Sequence, residues 1–323
     1  MDAKTKRLLH VALVTARAAR DLDEDLAPLD AALSTAGAKV SVVDWDDMEV
    51  DWSRFDLALP RSTWDYAERL PEFLSWAPRV AVQTKLLNPL NVIRWNTDKH
   101  YLRELAQAGV PTVPSAFIEP GENAQSALVR FLDNGIPLPN PPPLGAGVLC
   151  AMEGAGDFVV KPAIGAGSRD AQRYTSTQRD DAIAHVQRLL DANRSVLLQP
   201  YLHSVDEHGE TALLFFDGVF SHAIRKGPLL KRGEGSTRAL FAAEHITPRP
   251  PSEQELEVAQ RALEAMPFEK PLLYARIDLI REDDGAPRLL ELELTEPSVF
   301  LAHDKPAAAR FAAAILRRLN SQV

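Results

Sequence analysis

The sequence predicts a mixed α/β and α+β protein built in three units, 1–90, 91–200 and 201–323. Three observations predict it. The N-terminal part alternates strand-like and helix-like segments, the βαβ rhythm of a small parallel sheet covered by helices. From about Tyr201 the chain is rich in strands and closes on one helix, 307–319. Near its end, two adjoining strand-like segments carry three carboxylates in strict alternation with apolar residues.

In the first unit, 11–15 reads as a buried strand and 22–36 has helical spacing that stops at Gly37. Strands follow at 40–44 and 55–60, and the apolar run 80–82 is the candidate for a fourth. Strand ends in such sheets border ligand crevices. Arg61-Ser-Thr-Trp-Asp-Tyr66 is therefore either a substrate-facing loop or a surface turn with a packed Trp64. No glycine-rich fingerprint follows the first strand, so dinucleotide binding is not supported. Asn88-Pro-Leu-Asn91 marks a boundary, and a helix is expected over 97–108, stopped by Gly109. The stretch 134–147 is too rich in proline for regular structure.

With 323 residues, 46% of them hydrophobic and 25% charged, the chain has the make-up of a soluble globular protein of two or three domains. A net charge of −9 argues against a dedicated nucleic-acid or anionic-membrane binder, while leaving room for a local basic site for a small phosphate. The single cysteine, Cys150, excludes an internal disulfide and fits a reducing compartment. No apolar run is long enough to span a membrane. Lys4, Lys6 and Arg7 precede the apolar run 8–14, but that run is short, contains His10 and leads into charged, helix-like sequence. It reads as a first strand rather than a signal peptide, and the protein as cytoplasmic.

The acidic hairpin is the most informative feature. Residues 272–280 and 288–295 read as strands joined by a turn with Asp-Gly at its centre. Alternation puts Ala275, Ile277 and Leu279 on one face and Arg276 and Asp278 on the other. Leu290, Leu292 and Leu294 separate in the same way from Glu291, Glu293 and Thr295. Like charges on one patch repel, so the patch is either a solvated face or a site for a cation such as magnesium, which takes hard oxygen ligands.

Upstream, 157–162 is a strand ending in Lys161, followed at once by Gly165, Gly167 and Ser168. Glycines let successive N–H groups turn toward an anion, although a plain hairpin turn accounts for them equally well. No Gly-Lys-Ser/Thr follows, so this is not a P-loop. The apolar strand 195–202 runs into the hinge Gln199-Pro-Tyr201-Leu202, and Asp206, Glu207 and Glu210 lie just beyond. A strand 211–216 and a turn at Asp217-Gly218 lead to Arg225 and Lys226, which end the next strand. Lys231, Arg232 and Arg238 form either a mobile lid or a solvated charged face.

The order of these features resembles the ATP-grasp superfamily in its glutathione-synthetase-like branch, by motif over about 88–301 and by architecture before that. The resemblance implies an N-terminal α/β domain, a central lid domain and a C-terminal domain, with ATP between the last two. It assigns Lys99 and Lys161 to the nucleotide and Gly165, Gly167 and Ser168 to a loop closing over the phosphates. It gives Gln199, Tyr201 and Leu202 to the adenine edge and Glu210, or else Asp206, to the ribose. Arg225 falls near the transferred phosphoryl group, and Asp278 and Glu291 hold Mg2+, two ions being expected. Members usually carry Glu-x-Asn at the third metal position, where this chain has Glu291-Leu-Glu293; Glu293 is retained as a ligand.

More narrowly, 210–218, 221–228 and 291–298 are similar to the cyclo-ligases of cycloserine biosynthesis, which close O-ureido-D-serine onto itself with ATP. The chemistry implied is attack of a carboxylate on the γ-phosphoryl group, then displacement of phosphate from the acyl phosphate by an amine or similar nucleophile. Arg276 would orient the acyl phosphate, or else neutralise the acids. Arg61, Ser62, Asp65, Tyr66, Thr295 and Glu296 are the candidate contacts for a small amino-acid-like substrate. A two-substrate amino-acid ligase and a non-catalytic nucleotide-binding regulator are the rival readings. Relatives of this kind are commonly homodimers.

Overall fold

The structure is a computed structural model, and it describes residues 7–134, 156–233, 235 and 245–320. The first unit comprises β1 (His10–Thr15), α1 (Leu26–Thr35), β2 (Lys39–Asp44), β3 (Leu57–Ser62), α2 (Leu70–Ala81) and β4 (Lys85–Leu86). Its strands pair in parallel in the order β2-β1-β3-β4. Residues 80–82 are not the fourth strand: they finish α2. Phe73, Trp76, Ala77 and Val80 recur at helical spacing and are all buried, and a run of three apolar residues at a helix end cannot be told from a strand by periodicity. The fourth strand follows directly, at Lys85.

Next come α3 (Leu90–Asn96), α4 (Tyr101–Gln107), β5 (Ala116–Ile118), α5 (Ala124–Asn134), β6 (Phe158–Pro162), β7 (Gln172–Tyr174), α6 (Arg179–Asp191) and β8 (Val196–Pro200). The antiparallel sheet β5-β8-β6-β7 is backed by α5 and α6, whose Leu128, Phe131, Val186 and Leu189 pack on Phe158, Val160 and Leu198. The helix expected over 97–108 is shorter, and α3 precedes it. Both helices also reach the third unit: Val92, Leu102 and Leu105 share a core with Leu213, Ile277 and Leu292 as well as with Leu197 of β8, and Arg103 of α4 lies over the Phe117 ring of β5. The proline-rich stretch beyond Asn134, Cys150 and Arg238 lie outside the described residues.

The third unit holds α7 (Ser204–His208), β9 (Glu210–Phe216), β10 (Val219–Lys226), β11 (Ile246–Pro248), α8 (Glu253–Ala265), β12 (Tyr274–Arg281), β13 (Pro287–Glu293) and α9 (Ala307–Asn320). Its sheet runs β11-β10-β9-β12-β13, antiparallel throughout. Asp217 and Gly218 both have positive φ, 55° and 76°, the requirement of the tight hairpin turn that Asp-Gly favours. Helix α9 covers one face of the sheet and reaches α1 in the first unit: Phe311 stacks on Phe216 with ring centres 4.4 Å apart, and Ile315 shares a core with Leu29 and Leu33. The Asp25 carboxylate accepts the N–H groups of Val299, Phe300 and Leu301 at 2.6–3.1 Å, tying the segment after β13 to the N-terminal sheet. No described helix is long and apolar enough to cross a membrane.

Candidate active site

The acidic hairpin is β12–β13. Its register sets Asp278 opposite Glu291 and Arg276 opposite Glu293, so the three carboxylates and the guanidinium share one face. Each acid meets a cation there. Asp278, almost fully buried, accepts from Arg276 at 2.9 and 3.0 Å and from Lys226 at 2.8 Å. Glu291 accepts from Lys161 at 2.7 Å, with Lys99 3.7 Å away, and Glu293 pairs with Arg276. Burial alone would raise all three pKa values. For Asp278 the charges of Arg276 and Lys226 outweigh it, and for Glu291 those of Lys161 and Lys99, so both are lowered. Glu293 goes the other way: burial, added to by Asp278 and Glu291, raises it against the pull of Arg276.

This face is one wall of a cleft enclosing about 1550 Å³, open solvent at its mouth included. Lys161 ends β6, and the loop after it turns at Gly167 (φ 61°) and Ser168 (φ 57°). The Lys99 ammonium donates to the Gly165 carbonyl at 2.9 Å, joining the two lysine-bearing segments. Deeper in, Val113, Val159, Leu230, Ile280 and Leu290 make an apolar slot beside the hinge. The hinge is held by Gln199 donating to Ser115 at 2.9 Å and Tyr201 donating to Asp206 at 2.6 Å. Arg173 lies over the Tyr201 ring, 3.5 Å from its centre.

Most of the expected residues therefore meet in one place. Lys99, Lys161, Gly165, Gly167, Ser168, Gln199, Tyr201, Leu202 and Glu210 line the cleft with Arg276, Asp278, Glu291 and Glu293, and so do Tyr66 and Glu296. Six do not line it. Arg225 is turned away by the strand alternation that points Lys226 inward, and its guanidinium donates to the His208 and Glu207 carbonyls. Asp206 stays outside, occupied by Tyr201 and Arg173. Arg61 is wholly buried, donating to the Pro297 carbonyl at 2.7 Å, and Ser62 is buried against Thr15 at 2.8 Å. Asp65 accepts from the Trp45 indole at 2.8 Å, and Thr295 is buried facing Asn96. The loop 61–66, read as substrate-facing or as a surface turn with a packed Trp64, divides: Arg61 is buried against the segment after β13, Ser62 and Asp65 turn to Thr15 and Trp45 of their own unit, and Tyr66 lines the cleft with Trp64.

Lys226 is the functional candidate the sequence reading missed. It bridges Glu210 at 2.7 Å and Asp278 at 2.8 Å. The signal was available, because residues 224, 226 and 228 alternate with 225 and pairing with β9 sets Lys226 opposite Glu210. Lys226→Ala is accordingly expected to lower kcat by two orders of magnitude or more, on the scale of losing a transition-state charge contact, whereas Arg225→Ala leaves kcat within about threefold. Steady-state kinetics on the two variants reverses the assignment if Arg225→Ala proves the more damaging.

A parallel N-terminal sheet, an antiparallel central sheet and an antiparallel C-terminal sheet facing a common cleft define the class of ATP-grasp ligases. The comparisons agree. Residues 11–88 match the family model of the D-cycloserine synthetase DcsG N-terminal domain. The cycloserine biosynthesis protein DcsG of Streptomyces lavendulae is 41% identical over 314 residues, covering 96% of this chain and 99% of that one. The crystal structure of D-cycloserine synthetase DcsG superposes with a TM-score of 0.86 at 41% identity, over 96% of this chain and all (100%) of that one. The ATP-grasp ligase PsnB, solved with a phosphomimetic variant of its minimal precursor, Mg and ADP, shares the fold with a TM-score of 0.61 at 17% identity, over 96% and 98% of the two chains. The chain belongs to the D-cycloserine synthetase family of ATP-grasp ligases and is an enzyme that forms carbon–nitrogen bonds.

Proposed function

We propose that this enzyme is an intramolecular ligase of cycloserine-type antibiotic biosynthesis. It would activate the carboxylate of O-ureido-D-serine as an acyl phosphate with release of ADP, and the substrate's own ureido nitrogen, the one bonded to oxygen, would then displace phosphate from the acyl carbon and give up its proton as the ring amide forms. The observation that carries the reading is the interlock of the hairpin acids with Lys161 and Lys226, supported by likeness to the relative along the whole chain.

The residues present fit ATP and Mg2+ in kind. Among the described residues no three acidic or histidine side chains converge on one point. Instead each acid is matched with a cation of the type that holds phosphate. A polyphosphate taking up Lys99, Lys161 and Lys226 would free Glu291 and leave Asp278 and Glu293 with Arg276 alone, so that the three acids would offer the hard oxygen ligands that two magnesium ions take. When bound, ATP supplies the activating phosphoryl group and magnesium neutralises its charge. The chain does the rest by position. Gly165–Ser168 offers turned N–H groups, the slot beside Tyr201 and Leu202 takes a flat apolar ring, and Glu210 stands where a sugar hydroxyl would be held. Arg276, donating to Asp278, Glu293 and the Ser298 carbonyl, is fixed to orient the activated carboxylate.

The deciding experiment is phosphate release from ATP and Mg2+ with O-ureido-D-serine alone, set against pairs of ordinary amino acids. Release with the ureido compound alone, together with formation of the cyclic product, is expected. Release only with pairs would make this a two-substrate ligase.

A further inference from the structure

Among the described residues, the cleft contains one acid with no lysine or arginine at salt-bridge distance. Glu210, Asp278, Glu291 and Glu293 each have a lysine or arginine within salt-bridge distance. Glu296, which also lines the cleft and is 7% exposed, has none among the described residues. It is also rigidly held. Four consecutive carbonyls there each accept a hydrogen bond: Thr295 from the Tyr274 hydroxyl at 2.6 Å, Glu296 from the Trp64 indole at 3.0 Å, Pro297 from Arg61 at 2.7 Å and Ser298 from Arg276 at 3.1 Å. The buried Tyr66 phenol lines the cleft with it and acts to lower its pKa. An unpaired acid fixed this firmly in a wall, facing a cavity, is built for a counter-ion that arrives from outside.

Resting on the ligase reading above, we propose that Glu296, its backbone anchored by Trp64, is the specificity residue that receives the α-ammonium group of the substrate. Its surroundings place it at the right end of the cleft. Two residues on, the Ser298 carbonyl accepts from Arg276 at 3.1 Å, and Arg276 also holds Asp278 and Glu293, the residues around the transfer centre. An α-amino acid carries its ammonium group two bonds from the carboxyl carbon, so a substrate whose carboxylate faces Arg276 presents that ammonium to the same wall. Burial, reinforced by the nearby Glu293 charge, pushes the Glu296 pKa up to about 8, so an unneutralised anion here is costly and a bound ammonium removes the cost. The inference adds a reason for the N-terminal unit to reach the cleft: Trp64 holds the residue that reads the substrate's amine, and Tyr66 lines the wall beside it.

The test compares wild type, Glu296→Gln and Glu296→Asp with O-ureido-D-serine and with its analogue lacking the amino group, while the Mg-ATP thermal shift is recorded for each. A lost charge-assisted contact predicts a KM raised about 10- to 100-fold in Glu296→Gln, partial recovery in Glu296→Asp, and an unchanged nucleotide shift that certifies the fold. The desamino analogue should be a correspondingly poor substrate of the wild type, a result that needs no variant to fold. Equal KM in Glu296→Gln, or equal kcat/KM for the desamino analogue, overturns the inference. If the wild type ignores O-ureido-D-serine, the substrate assignment fails instead, and the comparison moves to the amino acid that drives phosphate release. An enzyme turning over only compounds without an amino group would end the proposal.

Discussion

Lys161→Ala is expected to raise the dissociation constant for ATP at least about 100-fold, as measured by calorimetric titration in excess Mg2+. Lys161 stands at the end of β6, where strand pairing with β8 fixes its backbone and where the chain turns at once into the Gly165–Ser168 loop. Its ammonium is little exposed and 2.7 Å from Glu291. A charge-assisted contact to phosphate in such a half-dry site contributes about 1.5–3 kcal/mol, and tenfold in affinity is about 1.4 kcal/mol. The substitution does a second kind of damage. Glu291 keeps only the more distant Lys99, at 3.7 Å, so its uncompensated charge repels the phosphates that should sit beside it. The two effects act in the same direction, which is why a loss larger than one hydrogen bond is expected. Ordinary ATP affinity in the variant would remove Lys161 from the nucleotide site.

How much of this was legible in the chain depended on whether a feature is local. The hairpin was, because its alternation is written in consecutive residues: Arg276 and Asp278 on one strand, Glu291 and Glu293 on the other, and the Asp-Gly turn between them fix which side chains meet. The lysine before Gly165 was legible for the same reason. Misreadings arose where a side chain's destination is set by another unit. Arg61 and Ser62 sit at a strand end that favours ligand contact in general, yet they are buried against Pro297 and Thr15. No local pattern announces that Trp64 will hold the Glu296 carbonyl, 232 positions away in sequence. Arg225 differs in kind: the sequence carried the alternation that separates it from Lys226, and analogy by residue type chose the neighbour that does not line the cleft. The helices at 90–107 show a further limit, since their apolar faces say that they pack but not on which sheet.

Glu291→Gln separates the two halves of the proposed site, because its effects on nucleotide and on metal have opposite sign. In the free enzyme the Lys161 and Lys99 charges hold the Glu291 pKa well below its ordinary 4.5. A group depressed in the folded state contributes stability that is present above the unfolded value and lost only as pH falls through the folded one. Across about pH 6 to 9, therefore, wild-type Glu291 is ionised and the variant differs from it by one whole negative charge at every pH. Without that charge Lys161 and Lys99 face each other with no anion between them, a surplus that attracts polyphosphate. ATP in the absence of Mg2+ should bind the variant at least as tightly as it binds wild type. Magnesium-dependent turnover should fall about 1000-fold, because a neutral amide is a poor ligand for a hard dication and leaves developing charge at the transferred group unbalanced. Titrating ATP with and without Mg2+, alongside product formation, reads both signs in one series. Retained turnover would take Glu291 out of the metal set, whereas weakened binding of metal-free ATP would mean that its interlock with the lysines arranges the phosphate site rather than blocking it.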